Sequence, residues 1–214
     1  AKIKTATPTL SMLSVRGMMV HSAKWTPEMI RIGNIKDIIP LCGYGVPDEE
    51  TALFSNEKYA TFIFENELIP YWEKDGSNTY NQLHFYDLPW PTEVLEQMGE
   101  ENVKIRITLS YYVKPSPGYA GRSNKYRYPS ATLHFDLKSA SESMEEFLCR
   151  RNKSEGEKRT DNDTNRWTIK QQRREQGTVQ SDWIECTAAE LASCGQIIVY
   201  PGQGWWKERK LANV

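Results

Sequence analysis

Long apolar runs are missing from this sequence: no window of its 214 residues approaches the run of about 18 that spans a bilayer. The opening AKIKTATPTL also lacks the apolar centre of a signal peptide. A soluble chain is expected, with no membrane partner. An excess of one charge is missing too. The 27 basic and 28 acidic residues nearly cancel, so no global field draws the chain onto nucleic acid or an anionic surface, and no nucleic-acid partner is expected. Cysteine is scarce. Cys42, Cys149, Cys186 and Cys194 match neither a paired CxxC metal site nor a compact disulfide framework, which implies reduced thiols and a cytoplasmic setting. An initial methionine is absent as well, which processing or excision from a longer polypeptide would explain.

Histidine occurs three times, and no G-x-S-x-G elbow is present. His21 and Ser22 are neighbours, but adjacent side chains on a helix point about 100° apart and cannot form a nucleophile–base dyad with each other. His84 and His134 fall on strand candidates at positions expected to face outward or line the sheet surface, with no partner motif. In DNDTN, Asp161, Asp163 and Asn165 have the first three ligand spacings of a calcium loop, but Arg166 stands where glycine is needed and Gln172 where the closing glutamate belongs. A solvated polar loop is expected there. No catalytic residue, cofactor-binding residue or metal ligand is assigned, and no cofactor is expected.

What is present divides by period. In SMLSVRGMMVHSA, Ser11 can cap a helix whose Val15, Met18, Met19 and Ser22 share one face, while Met12, Leu13 and Val20 widen the apolar surface. Such a helix is normally buried on more than one side. TPEMI begins a second helix with Thr26 as cap and Pro27 at its first position, and NIKDIIPL places Ile35, Ile38 and Ile39 on one side. In CGYGVPDEETAL, Gly43 and Gly45 supply a bend, Pro47 marks a permitted helix start, and Asp48, Glu49 and Glu50 suit the first turn.

From about residue 56 the beat becomes two. Val103, Ile105, Ile107, Leu109, Tyr111 and Val113 alternate with Lys104, Arg106, Thr108 and Ser110, which reads as a strand with one buried face. ATLHFDLK repeats the pattern with Ala131, Leu133, Phe135 and Leu137 inward. YATFIFENEL, NQLHFYDL, TVQSDWIECT and GQIIVYP are further strand candidates. Short helices are expected in PTEVLEQMG, SESMEEFLCRR and TAAELAS, the last with a Thr187 and Glu190 capping pair.

Three segments are candidates for contact with partners. Residues 150–174 carry nine basic and four acidic side chains but one aromatic, Trp167, so a charged surface insertion is expected rather than a single-strand binder. In the loop 114–130, Lys114, Arg122, Lys125 and Arg127 interleave with Tyr119, Tyr126 and Tyr128. It reads equally as a binding loop or as an irregular connection. Trp205 and Trp206 in PGQGWWKERK read equally as an exposed anchor or as lids on the core.

The order TPTLSMLSVRGMMVHSAKW, then CGYGVPDEETAL, resembles the end of the catalytic domain of subtilisin-like serine peptidases. In that family a Pro-x-Leu turn, here Pro8 and Leu10, follows the helix that carries the catalytic serine. A helix of the form V-R-x-x-[LM] comes next, here Val15, Arg16 and Met19. A G-x-G turn and a closing helix finish the domain, matched by Gly43, Gly45, Val46, Pro47, Ala52 and Leu53. VKIRITLSYYVKPSPG, KYRYPSATLHFDLK and GWWKERK are similar to the C-terminal region of some bacterial members. The resemblance implies that the family's aspartate, histidine and GTS serine motifs lie upstream of Ala1, and that a further apolar strand follows the WWKER segment.

The expected fold is therefore mainly β with helical insertions: an antiparallel sandwich, P-domain-like or jelly-roll-like, preceded by a small helical segment. Residues 1–55 are expected to be the helical remnant of the catalytic domain, and 56–214 the sandwich. The function implied is the noncatalytic C-terminal portion of a serine endopeptidase, which stabilises the catalytic domain or shapes access to it. The alternative is a free-standing protein- or carbohydrate-binding module. The apolar opening helices are expected to dock on the sandwich, on a second copy or on the missing peptidase domain, whose own substrate would be polypeptide. Four exposed side chains, Val15, Met18, Met19 and Val20, at about 1.5–3 kcal/mol each, rival the stability of a domain.

Overall fold

The computed structural model describes residues 1–53, 60–115, 129–153 and 166–208. The boundary expected near Ser55, the DNDTN loop and most of the tyrosine-rich loop lie outside these residues. The chain forms two compact units. The first takes residues 1–67, 106–112 and 167–183, and the second takes 68–105, 113–166 and 184–214.

In the first unit, five short helices open the chain: α1 (Lys2–Ala6), α2 (Met12–His21), α3 (Pro27–Ile30), α4 (Ile35–Cys42) and α5 (Glu49–Leu53). The starts of α2 to α5 are set by side-chain caps, whereas α1 begins at Ala1 without one. Ser11 Oγ accepts from Ser14 N at 3.1 Å, Thr26 Oγ1 from Met29 N at 3.4 Å, and Asn34 Oδ1 from Lys36 N at 2.9 Å. For α5, Asp48 Oδ1 accepts from Glu50 N at 3.0 Å and Thr51 N at 3.3 Å. Asp48 is thus the cap and Pro47 stands before it, so the helix starts two residues later than the sequence pattern predicts. Helices α1 and α2 both pack on α5. The unit also contains the later half of strand β4 (Asn102–Ser110), the early half of β6 (Val179–Thr187) and the short helix α8 (Gln171–Arg174).

The second unit holds β1 (Tyr71–Lys74), β2 (Ser77–Tyr80), β3 (His84–Asp87), α6 (Thr92–Met98), β5 (Leu133–Leu137), α7 (Met144–Lys153), α9 (Ala188–Ala192), β7 (Gln196–Pro201) and α10 (Trp205–Glu208), besides the remaining parts of β4 and β6. Strands β1 and β2 form a hairpin around Asp75 (φ 53°) and Gly76 (φ 75°). An Asp-Gly pair with both φ positive matches the right-handed twist of the flanking strands. A second sheet has the order β3-β7-β5, all antiparallel, and β4 pairs with β6 in a third. Residues 60–70 form no strand, although YATFIFENEL is patterned as one.

Register explains the core of the second unit. Val199 pairs with both His84 and Phe135, while Ile198 pairs with Phe85 and Asp136, so His84 shares the Phe135 face and His134 lies on the opposite one. Phe135 and Ile198 are each 0% exposed. Both faces are therefore covered at the middle of the sheet, and the expected alternation of inward Phe135 with outward Asp136 fails. Asp136 is buried beside Arg166, with its carboxylate 3.8 Å from the guanidinium. Helix slightly exceeds strand, 33% against 26%, so the architecture is mixed, with antiparallel strands in the three described sheets, rather than mainly β.

Candidate functional site

The densest polar constellation among the described residues lies within the first unit, where α2 covers the side of β4 that alternation assigns to solvent. Gly17 makes the approach possible: a Cβ there would sit 3.3 Å from Ser110 Cβ, already tighter than ordinary packing. One residue earlier, Arg16 Nε donates to Ser110 Oγ at 3.1 Å, and its Nη2 donates to the carbonyls of Tyr111 at 2.7 Å and Thr178 at 3.1 Å. A single guanidinium thus ties the helix to the ends of both strand segments. One turn on from Gly17, His21 places Nδ1 3.0 Å from Thr108 Oγ1.

From Thr108 the bonding continues inward. Its hydroxyl lies 2.8 Å from Ser181 Oγ on β6, which accepts from Arg106 Nε at 2.9 Å. Arg106 Nη1 donates to Ala23 O at 2.6 Å, so the cation sits just past the C-terminus of α2, at the negative end of the helix dipole. Its guanidinium also lies 5.3 Å from the Trp183 ring, which meets Trp25 edge-on at 5.3 Å. Tyr44, from the G-Y-G turn, accepts from Ser181 N at 3.1 Å and donates to Val179 O at 3.5 Å. The turn therefore closes on the edge of β6.

Burial sets the charges here. Desolvation first, then the Arg106 guanidinium, push the His21 imidazole down to about 4, so it is neutral at pH 7. Desolvation likewise lowers Arg106 to about 10 and raises the Tyr44 hydroxyl. Asp182, 0% exposed, is raised by burial yet accepts from Ile169 N at 2.8 Å, Lys170 N at 3.0 Å and Arg174 Nη1 at 3.4 Å. Arg174 in turn lies 4.5 Å from the Trp167 ring.

This arrangement suits fastening, not bond cleavage. Ser181 is completely buried, and the Asp182 carboxylate is engaged with the 169–170 backbone and Arg174 rather than with His21. Ser22 Oγ donates to Met19 O at 3.2 Å and makes no dyad with His21. A pocket of about 100 Å³ in the same unit is walled by Ile3, Leu10, Met18, Leu53 and Ile63, with threonines but no ionisable group. His84 and His134 are half-buried on opposite faces of their sheet. No group of three or more potential metal-binding side chains occurs among the described residues, and no described helix is long and apolar enough to cross a membrane.

Of the segments singled out for binding, Trp205 is 8% exposed and its indole donates to Lys114 O at 3.2 Å. It is a core lid. Trp206 is half-buried against it, 5.8 Å between ring centres, and Asn78 Nδ2 donates to its carbonyl at 2.7 Å. Residues 116–128 of the tyrosine-rich loop and 154–165 of the basic insertion lie outside the described residues. Sequence patterning did not mark Arg106, Thr108 or Ser181, because polar residues on a strand read as solvent-facing, nor Tyr44, which lies in a turn. The one signal available was Gly17 within a helix, a residue that is costly there unless something packs close. No family model, curated protein or solved structure matches the chain.

Proposed function

We propose that this chain is the noncatalytic C-terminal portion of a cytoplasmic subtilisin-like serine endopeptidase, in which a β-sandwich is fastened to the last helices of the catalytic domain and stabilises it. The observation that carries the reading is the divided surface of α2. One side is bound to the strand segments through Arg16, Gly17 and His21, with Val15 and Ser22 buried. The other leaves Met12 69% and Met19 47% exposed, and Leu41 on α4 is 73% exposed. Apolar side chains left in water on helices that are otherwise well capped support a further covering polypeptide, namely the upstream peptidase domain. The polar fastening supports a role in holding the two parts together.

Under this reading the parent enzyme cleaves polypeptides through an acyl-serine intermediate, and no residue of this chain takes part in that chemistry. The free-standing binding module loses its best anchor, because Trp205 is buried and hydrogen bonded. A serine-directed fluorophosphonate tests the assignment. It should label the polypeptide encoded when the reading frame is followed upstream through a GTS motif and leave the 214-residue chain unlabelled. Labelling of the 214-residue chain, or an upstream frame without those motifs, would overturn it.

A further inference from the structure

We propose that His21 is an acid-operated latch: protonating its ring releases α2 from the β4 and β6 segments that it covers in the first unit. The inference rests on donor and acceptor accounting, independent of the role proposed for the whole chain. Arginine only donates, so Arg106 Nε–H fixes the sense of the first bond, into Ser181 Oγ. Ser181, fully buried, then gives its own proton to Thr108, and Thr108 gives its proton to His21 Nδ1. Each hydroxyl accepts one bond and donates one. The sequence closes only if Nδ1 is bare, which fixes the neutral ring with its proton on Nε2.

Protonation reverses the last bond. Nδ1–H now donates to Thr108, the Thr108 proton turns to Ser181, and Ser181 already accepts from Arg106. The Ser181 proton is left without an acceptor in the row, and a second cation has joined one already present at the other end. The remaining charges nearby are committed elsewhere. Asp48, which precedes α5, holds Lys24, and Glu49 of α5 holds Lys2 at 2.6 Å. Glu50 lies in the exposed first turn of α5. On β6, Asp182 holds Arg174, and Tyr44 is bonded to the Ser181 and Val179 backbone. No carboxylate is bonded to the ring among the described contacts, and Arg106 is the charge that acts on it.

The sign follows from linkage. An imidazole lowered from 6.5 to about 4 binds its proton in the unfolded or released state first, so the latch is intact above 6.5 and weakens as pH falls toward 4. The gap corresponds to an opening equilibrium up to about 300-fold more favourable at the acid end. Two measurements on the 214-residue chain test it. Imidazole ¹⁵N shifts at pH 7 should show His21 with Nδ1 bare and Nε2 protonated. Hydrogen exchange, corrected for intrinsic rate, should show the α2 amides losing protection between pH 6.5 and 4 while those of β7 keep theirs. In His21→Gln, which cannot gain charge, the α2 amides should lose none of their protection over that range. A proton on Nδ1 at pH 7, titration of the ring near 6.5, or equal loss of α2 protection in the variant would each overturn the proposal. Should the variant not fold, the wild-type shifts and titration decide alone.

Discussion

Replacing Gly45 by alanine should cost the first unit far more than replacing Gly43 two positions earlier, though both glycines have positive φ in the same turn. Gly43 (φ 57°) has nothing within 4 Å of a built Cβ. Its substitution costs only the backbone conformation, about 1–3 kcal/mol. Gly45 (φ 97°) carries the same kind of cost and a second one: its Cβ would lie 2.2 Å from Lys24 O and 2.5 Å from Lys24 C. Those are backbone atoms held by the two bonds of the Lys24–Val46 bridge, each 2.9 Å. Relief of the overlap requires losing that pair, at about 1 kcal/mol per bond. The total is about 3–5 kcal/mol, a large part of the 5–15 typical of a whole domain. Urea unfolding followed by tryptophan fluorescence suits the test, because Trp25 donates to Gly43 O and sits against this turn. Equal effects of Gly43→Ala and Gly45→Ala, within about 0.5 kcal/mol, would refute the close-approach reasoning.

Other substitutions probe the same packing. Tyr44→Phe keeps the ring but removes the acceptor for Ser181 N, and should lower stability by about 1–3 kcal/mol in the same urea assay. Asp182→Ala leaves Arg174 buried without its carboxylate partner and removes the acceptor of three backbone donors, Ile169, Lys170 and Trp183, and should cost about 3–5 kcal/mol. Trp205→Ala opens the core of the second unit and should cost about 3–5 kcal/mol, seen as faster hydrogen exchange in β7 and β5.

The elements that local rules govern were legible in the sequence. Ser11, Thr26 and Thr187 cap helices where their side chains predicted, and the two-residue beat marked β4, β5, β6 and β7. The β1–β2 hairpin was not read, although Asp75-Gly76 announces a tight turn. The polar fastening was harder to see. Arg106, Thr108 and Ser110 occupy the polar beat of a strand, and nothing in that beat says that a helix with a glycine at its centre lies over them. Asp136 and Asp182 look like surface residues by type and are buried beside Arg166 and Arg174, which other segments of the chain supply. Periodicity reports the solvent preference of a residue; it does not report a polar partner supplied by another element.

Methionine footprinting tests the covering of α2 most directly. Met12 and Met19 are exposed in this chain, whereas Met98 of the second unit is half-buried and serves as internal reference. Brief oxidation of the 214-residue chain should convert Met12 and Met19 faster than Met98. In the polypeptide extended through the upstream frame, Met12 and Met19 should become protected while Met98 is unchanged. Equal oxidation of Met12 and Met19 in both polypeptides would contradict the view that the upstream domain lies over this helix.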